Sequence, residues 1–125
     1  MLRRDRIILQ KVIAEIDIGL SMLGSSSMEA FLSSEILKRA LGMTTINIGE
    51  LIKNISPELR EEYRDIPWKA IAGMRDITAH KYQTLRMEDV YNTVKIDFPV
   101  LKQQFQNLLN SKSDILTTNK RSSIC

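Results

Sequence analysis

Apolar residues recur at three- and four-residue steps through most of this chain, and that spacing is what most limits its fold. Leu9, Val12, Ile13, Ile16, Leu20 and Leu23 make one such series, and Val90, Val94, Phe98, Leu101, Phe105 and Leu108 make another. An α-helix turns by about 100° per residue, so each series gathers on one face. No segment shows the two-residue alternation of a half-buried strand. Five glycines and three prolines in 125 residues also leave little material for a turn-rich β fold. The pattern predicts an all-α, up-down bundle of four main helices plus one short helix.

The helices can be placed from their end signals. The first runs over about residues 3–23 and stops at Gly24-Ser25-Ser26-Ser27. Ser26 with Glu29 three residues on reads as a capping box that opens the second helix, which continues to about Ile55. That second helix has two apolar faces: Leu37, Leu41, Ile48, Ile52 and Ile55 on one, and Leu32, Ile36, Met43 and Ile46 on the other, together with Glu50. A chain this short has little interior for both. Either the helix is central and wrapped by its own neighbours, or one face packs against a second subunit.

Ser56-Pro57 supplies an N-cap and a proline at the first helical position, opening a short charged helix to about Arg64. Asp65-Ile66-Pro67 repeats the device, and a helix from Trp68, a core residue, leads toward Arg75. Gln83-Thr84-Leu85-Arg86 reads as a connector, and Pro99 should kink the last helix or loosen one of its turns. Residues 1–110 therefore form the helical domain. Residues 111–125, rich in Ser, Thr, Lys and Asn without an apolar series, read as a disordered polar tail.

Composition narrows the function. The single cysteine, Cys125, excludes a disulfide framework, and one cysteine with one histidine argues against a metal centre, so no cofactor is expected. No stretch approaches the roughly 18 apolar residues that span a bilayer, and the start lacks a signal-peptide core. A cytoplasmic protein without a membrane association is expected. The net charge of +3 permits nucleic-acid binding, but the tail holds Lys112, Lys120 and Arg121 against Asp114, so the body is close to neutral.

The chemistry concentrates in Arg75-Asp76-Ile77-Thr78-Ala79-His80-Lys81-Tyr82. Arginine holds phosphate in a planar fork, and histidine moves protons near pH 7. Metal-free RNA cleavage uses the 2′-hydroxyl as nucleophile, helped by a base, an acid and a cation on the crowded phosphate. On a continuous α-helix Arg75 and His80 would lie about 140° apart, so the chain must bend or a second copy must complete the pair. One chain offers one histidine, so a histidine base and a histidine acid together require a homodimer. Lys81 or Tyr82 is the alternative second group, with a reference pKa near 10 that suits pH 7 less well.

These residues, with Ile48-Gly49-Glu50, Ser56-Pro57-Glu58-Leu59, Ile66-Pro67-Trp68, Ala72-Gly73-Met74 and Asp97-Phe98-Pro99-Val100-Leu101 around them, resemble the HEPN superfamily. Within it they are most similar to HepT-like toxins of prokaryotic toxin–antitoxin pairs, over about residues 5–110. The signature is an arginine, a polar residue, a short spacer, a histidine, one residue and a tyrosine. The resemblance implies a helical homodimer in which Arg75 and His80 of both subunits form one composite RNA-cutting cleft. It also implies a partner, a minimal nucleotidyltransferase antitoxin, that silences the toxin by placing AMP on Tyr82. Asp76 stands where the family often has Asn; its carboxylate can orient Arg75 or compete with phosphate for it. Asp76 and Lys81 are thus supporting residues, and Glu50 is an interface or site residue. Two other readings stay open: a non-catalytic HEPN module that binds a nucleotidyltransferase or a nucleotide, and a plain helical interaction protein.

Overall fold

In the computed structural model of the chain, residues 1–76 and 86–124 are described, with side chains for 1–75 and 86–111. Every regular element among the described residues is a helix. Helices α1 (Arg3–Leu23), α2 (Met28–Leu32) and α3 (Glu35–Ile52) come first. They are followed by α4 (Pro57–Glu62), α5 (Trp68–Gly73) and a 3₁₀ turn at Met74–Asp76. Beyond residue 85 come α6 (Met87–Asn92), a π-helical turn at Thr93–Asp97 and α7 (Phe98–Ile124). None of the helices is long and apolar enough to cross a membrane, among the described residues.

Helix α1 ends where expected: Gly24 takes φ +52°, a conformation that suits glycine, and its N–H bonds to Leu20 O. The next helix differs from the sequence expectation. Instead of one helix from Ser26 to Ile55, Ser33-Ser34 divides it into α2 and α3. Ser34 is the N-cap of α3, its Oγ accepting the Leu37 N–H at 3.1 Å. The N-cap of α2 is Ser27, which accepts from Ala30 N at 3.1 Å, so the Ser26–Glu29 capping box is not formed. The carbonyl of Ser26 instead accepts the Tyr91 hydroxyl at 2.9 Å. Serine offers the backbone a local alternative to the helix, and a run of serines lets packing choose which one acts.

The short helix α4 starts as read, with Ser56 capping Leu59 N and Pro57 in the first turn. A carboxylate joins this cap from 51 residues away. Asp5 is 1% exposed, and its Oδ1 and Oδ2 accept the Ser56 N–H at 3.0 Å and the Ser56 hydroxyl at 2.5 Å. Helix α5 differs again: its N-cap is Pro67, without a side-chain cap from Asp65.

Helices α1 and α3 run antiparallel, since Arg4 reaches Asn54 O while Gly19 lies against Thr44. Leu9, Val12 and Ile16 of α1, Leu41, Ile48 and Ile52 of α3, and Val94, Phe98 and Phe105 share one buried core. Trp68 is buried as expected, stacked on Phe105 at 5.8 Å between centroids, and its indole N–H donates to Tyr63 O at 2.9 Å.

Pro99 acts on the turn before it. Proline has no N–H and its ring crowds the carbonyl four residues back, here that of Lys95. The helix widens there, and the Phe98 N–H bonds to Thr93 O, five residues back. One loosened turn was the expectation, and a π turn is its form. The reading of 111–125 as a disordered polar tail falls mostly on side chains outside the described residues; the backbone of α7 continues to Ile124.

Candidate functional site

Arg75 lies in the 3₁₀ turn that follows α5, and α3 positions that turn by contact with its backbone. A Cβ at Gly49 would sit 2.4 Å from Arg75 N, 3.0 Å from the Met74 carbonyl carbon and 3.1 Å from Ala72 O. Those atoms are backbone and cannot swing aside, so only glycine allows the approach. Helix α5 stops at Gly73, so Arg75 itself stands in a 3₁₀ turn rather than in an α-helix.

One residue past Gly49, Glu50 faces both Arg75 and Lys53. Its Oε2 lies 2.8 Å from Lys53 Nζ, while its Oε1 lies 3.9 Å from Arg75 Nη1. The first distance is a charge-assisted hydrogen bond and the second is too long for one. Hydrogen bonding from Lys53 holds the Glu50 carboxyl below its ordinary value, with charge attraction from Lys53 and Arg75 adding to it against partial burial. The Arg75 side chain is 43% exposed. Among the described residues its guanidinium is engaged only loosely, by Glu50, and its exposed part can meet an anion from solvent.

The end of α3 that carries these groups is well anchored. Arg60 Nη2 donates to Ile52 O and Lys53 O, each at 3.1 Å. Arg4 donates to Asn54 O at 2.7 Å, and the Asn54 side chain donates back to Glu50 O at 3.1 Å. Last-turn carbonyls that would otherwise face water are thereby paired.

The two apolar faces of α3 separate cleanly. Leu41, Ile48 and Ile52 are fully buried, whereas Ile36 is 84% and Met43 57% exposed. Glu50 continues the exposed series from Met43 and half-buried Ile46, so the uncovered face runs down α3 toward Arg75.

Of the residues singled out in the sequence, the structure brings Arg75 and Glu50 together. The side chain of Asp76, and His80, Lys81 and Tyr82 entirely, lie outside the described residues. Gly49 and Lys53 were not assigned site roles in the sequence. A glycine inside a helix, which costs about 1 kcal/mol relative to alanine, is the signal that could have marked Gly49.

Comparisons with known proteins agree with this picture. A family model described as "Ribonuclease HepT-like" matches residues 12–108. A "Putative RNase" of Caldanaerobacter subterraneus is 30% identical over 111 residues, spanning 89% of this chain and 99% of the relative. A "Putative RNase" of Methanocaldococcus jannaschii is 30% identical over 110 residues, 87% of this chain and 95% of the relative. A "Probable ribonuclease HepT" of Thermococcus cleftensis is 39% identical over 61 residues, covering 49% of this chain and 56% of that protein. No solved structure matches. With a match across most of its length and an all-α fold that presents the signature arginine at its surface, the chain belongs to the HepT-like ribonuclease family.

Proposed function

We propose that this protein is the toxin of a toxin–antitoxin pair, a homodimeric, metal-independent endoribonuclease. The observation that carries the reading is Arg75: an exposed guanidinium on a turn that Gly49 fixes, beside the uncovered apolar face of α3. In the proposed site Arg75 neutralises the phosphate as charge builds at its oxygens. His80 takes the 2′-hydroxyl proton, and the His80 of a second copy returns one to the leaving 5′-oxygen. Attack by the 2′-oxygen breaks the P–O5′ bond and leaves a 2′,3′-cyclic phosphate and a 5′-hydroxyl. Asp76 and Lys81 flank these groups as supporting residues. A nucleotidyltransferase partner silences the enzyme by placing AMP on Tyr82, adding bulk and negative charge where the RNA phosphate sits.

The test is RNA cleavage by the purified protein in the presence of a chelator. Activity with cyclic-phosphate ends is expected, abolished by His80→Ala and reduced on the order of 100-fold or more by Arg75→Ala. Loss of activity in chelator, or full activity in His80→Ala, overturns the mechanism. RNA binding without cleavage would favour the non-catalytic module instead. Incubation with the partner and ATP, followed by mass spectrometry, tests the modification at Tyr82.

A further inference from the structure

The Glu50 carboxylate stands between two cations and holds them unequally. Lys53 Nζ is at hydrogen-bond distance, 2.8 Å, and Arg75 Nη1 is at 3.9 Å. Glu50 and Lys53 are one helical turn apart on α3, so their pairing follows from the helix itself. Arg75 comes to Glu50 from a different element, at a position set by its own backbone against Gly49. All three side chains lie at the surface, 47%, 38% and 43% exposed in that order, so small rotamer changes can exchange one partner for the other.

We propose that Lys53 is a positioning residue that keeps Arg75 available to an RNA phosphate by occupying Glu50. Guanidinium and carboxylate make a favourable two-bond pair when nothing competes. In this chain Lys53 competes, drawing Oε2 along α3, so that Glu50 reaches Arg75 only through Oε1 at 3.9 Å. Removing Lys53 frees the carboxylate to swing onto Arg75, where it takes the donors that a phosphate would use. Removing Glu50 has the opposite effect and leaves both cations unneutralised. The inference rests on the reading of Arg75 as a phosphate-binding residue of a ribonuclease, and it gives Glu50 and Lys53 opposite signs in that same site.

Two measurements test it, and the first needs no RNA. The Glu50 carboxyl is titrated by NMR in the wild type, Lys53→Met, Arg75→Ala and the Lys53→Met/Arg75→Ala pair. If Glu50 is handed over, losing Arg75 raises the Glu50 midpoint more in the Lys53→Met background than in the wild type. Equal shifts in the two backgrounds overturn the proposal.

The second measures binding of a single-stranded RNA made uncleavable by 2′-O-methylation, by fluorescence anisotropy. Lys53→Met should weaken binding about twofold to fivefold and Glu50→Gln should tighten it by a similar factor, the scale of an exposed ion pair. Lys53→Arg should restore the wild-type value. In the double variant Glu50→Gln/Lys53→Met the loss due to Lys53 should disappear, because no carboxylate remains to be restrained. If Lys53→Met weakens binding equally with Glu50 absent, Lys53 touches the phosphates itself and the proposal fails. Arg75→Ala is the reference: binding insensitive to it removes the reading of Arg75 as a phosphate-binding residue, while the NMR result still decides whether Lys53 restrains Glu50.

Discussion

Gly49 faces the backbone nitrogen of Arg75 so closely that a methyl group at Gly49 would lie 2.4 Å from it. The turn that presents the signature arginine is thus set by a glycine of another helix, rather than by the arginine's own helix. Gly49 and Arg75 need each other: one supplies the space, and the other supplies the charge that the space positions.

Gly49→Ala should therefore push the 3₁₀ turn off α3. Overpacking of this kind costs about 1–3 kcal/mol, and RNA cleavage should fall with it. Gly73 is the control, because a Cβ there meets nothing within 4 Å. Gly73→Ala should leave stability unchanged or raise it by up to about 1 kcal/mol. Chemical denaturation of both variants checks the contrast, and equal losses would contradict it.

Asp5 should matter more to stability than any exposed carboxylate. Asp5→Ala leaves the buried Ser56 N–H and hydroxyl without the acceptors they now have. The expected cost is about 1–3 kcal/mol, read from urea unfolding. A change within experimental error would show that water replaces the carboxylate.

Met43 tests the assembly. It is 57% exposed on the uncovered face of α3, so Met43→Glu should leave the monomer fold and its circular dichroism intact. Under the proposed function it should shift the dimer to monomer in sedimentation velocity and reduce cleavage in parallel. A variant that stays dimeric would move the interface away from this face.

The pH dependence of the Glu50 pair has a definite sign. Its carboxyl is lowered from the ordinary value of 4.5, chiefly by the hydrogen bond from Lys53. A lowered folded value adds stability that is present above 4.5 and lost as pH falls through the folded value. Wild type and Glu50→Gln should thus differ in thermal stability near pH 7 and converge on acidification. The gap should be small for so exposed a pair and should shrink in high salt. A gap that widens as the pH falls would contradict the assignment.

The helices, the Ser56-Pro57 start, the burial of Trp68 and the loosened turn before Pro99 were all legible in the sequence. Each follows from relations within a few residues: apolar spacing, a cap, or a missing N–H. The division of the second helix was not legible, because several serines in residues 25–34 could each cap, and the choice fell to packing. The arginine signature and its family resemblance were also visible in the sequence, and Glu50 was visible as one of its neighbours.

What the sequence alone could not supply is how these parts meet. Asp5 reaches Ser56 across 51 residues, and Gly49 admits the Arg75 turn from a separate helix. Lys53 and Arg75 share one carboxylate only because α3 and the 3₁₀ turn lie side by side. Residue type and local spacing determine which helices form and which face of each is apolar. Close approach between backbones depends on the whole packed core, and in this protein it is that approach which decides where the arginine stands.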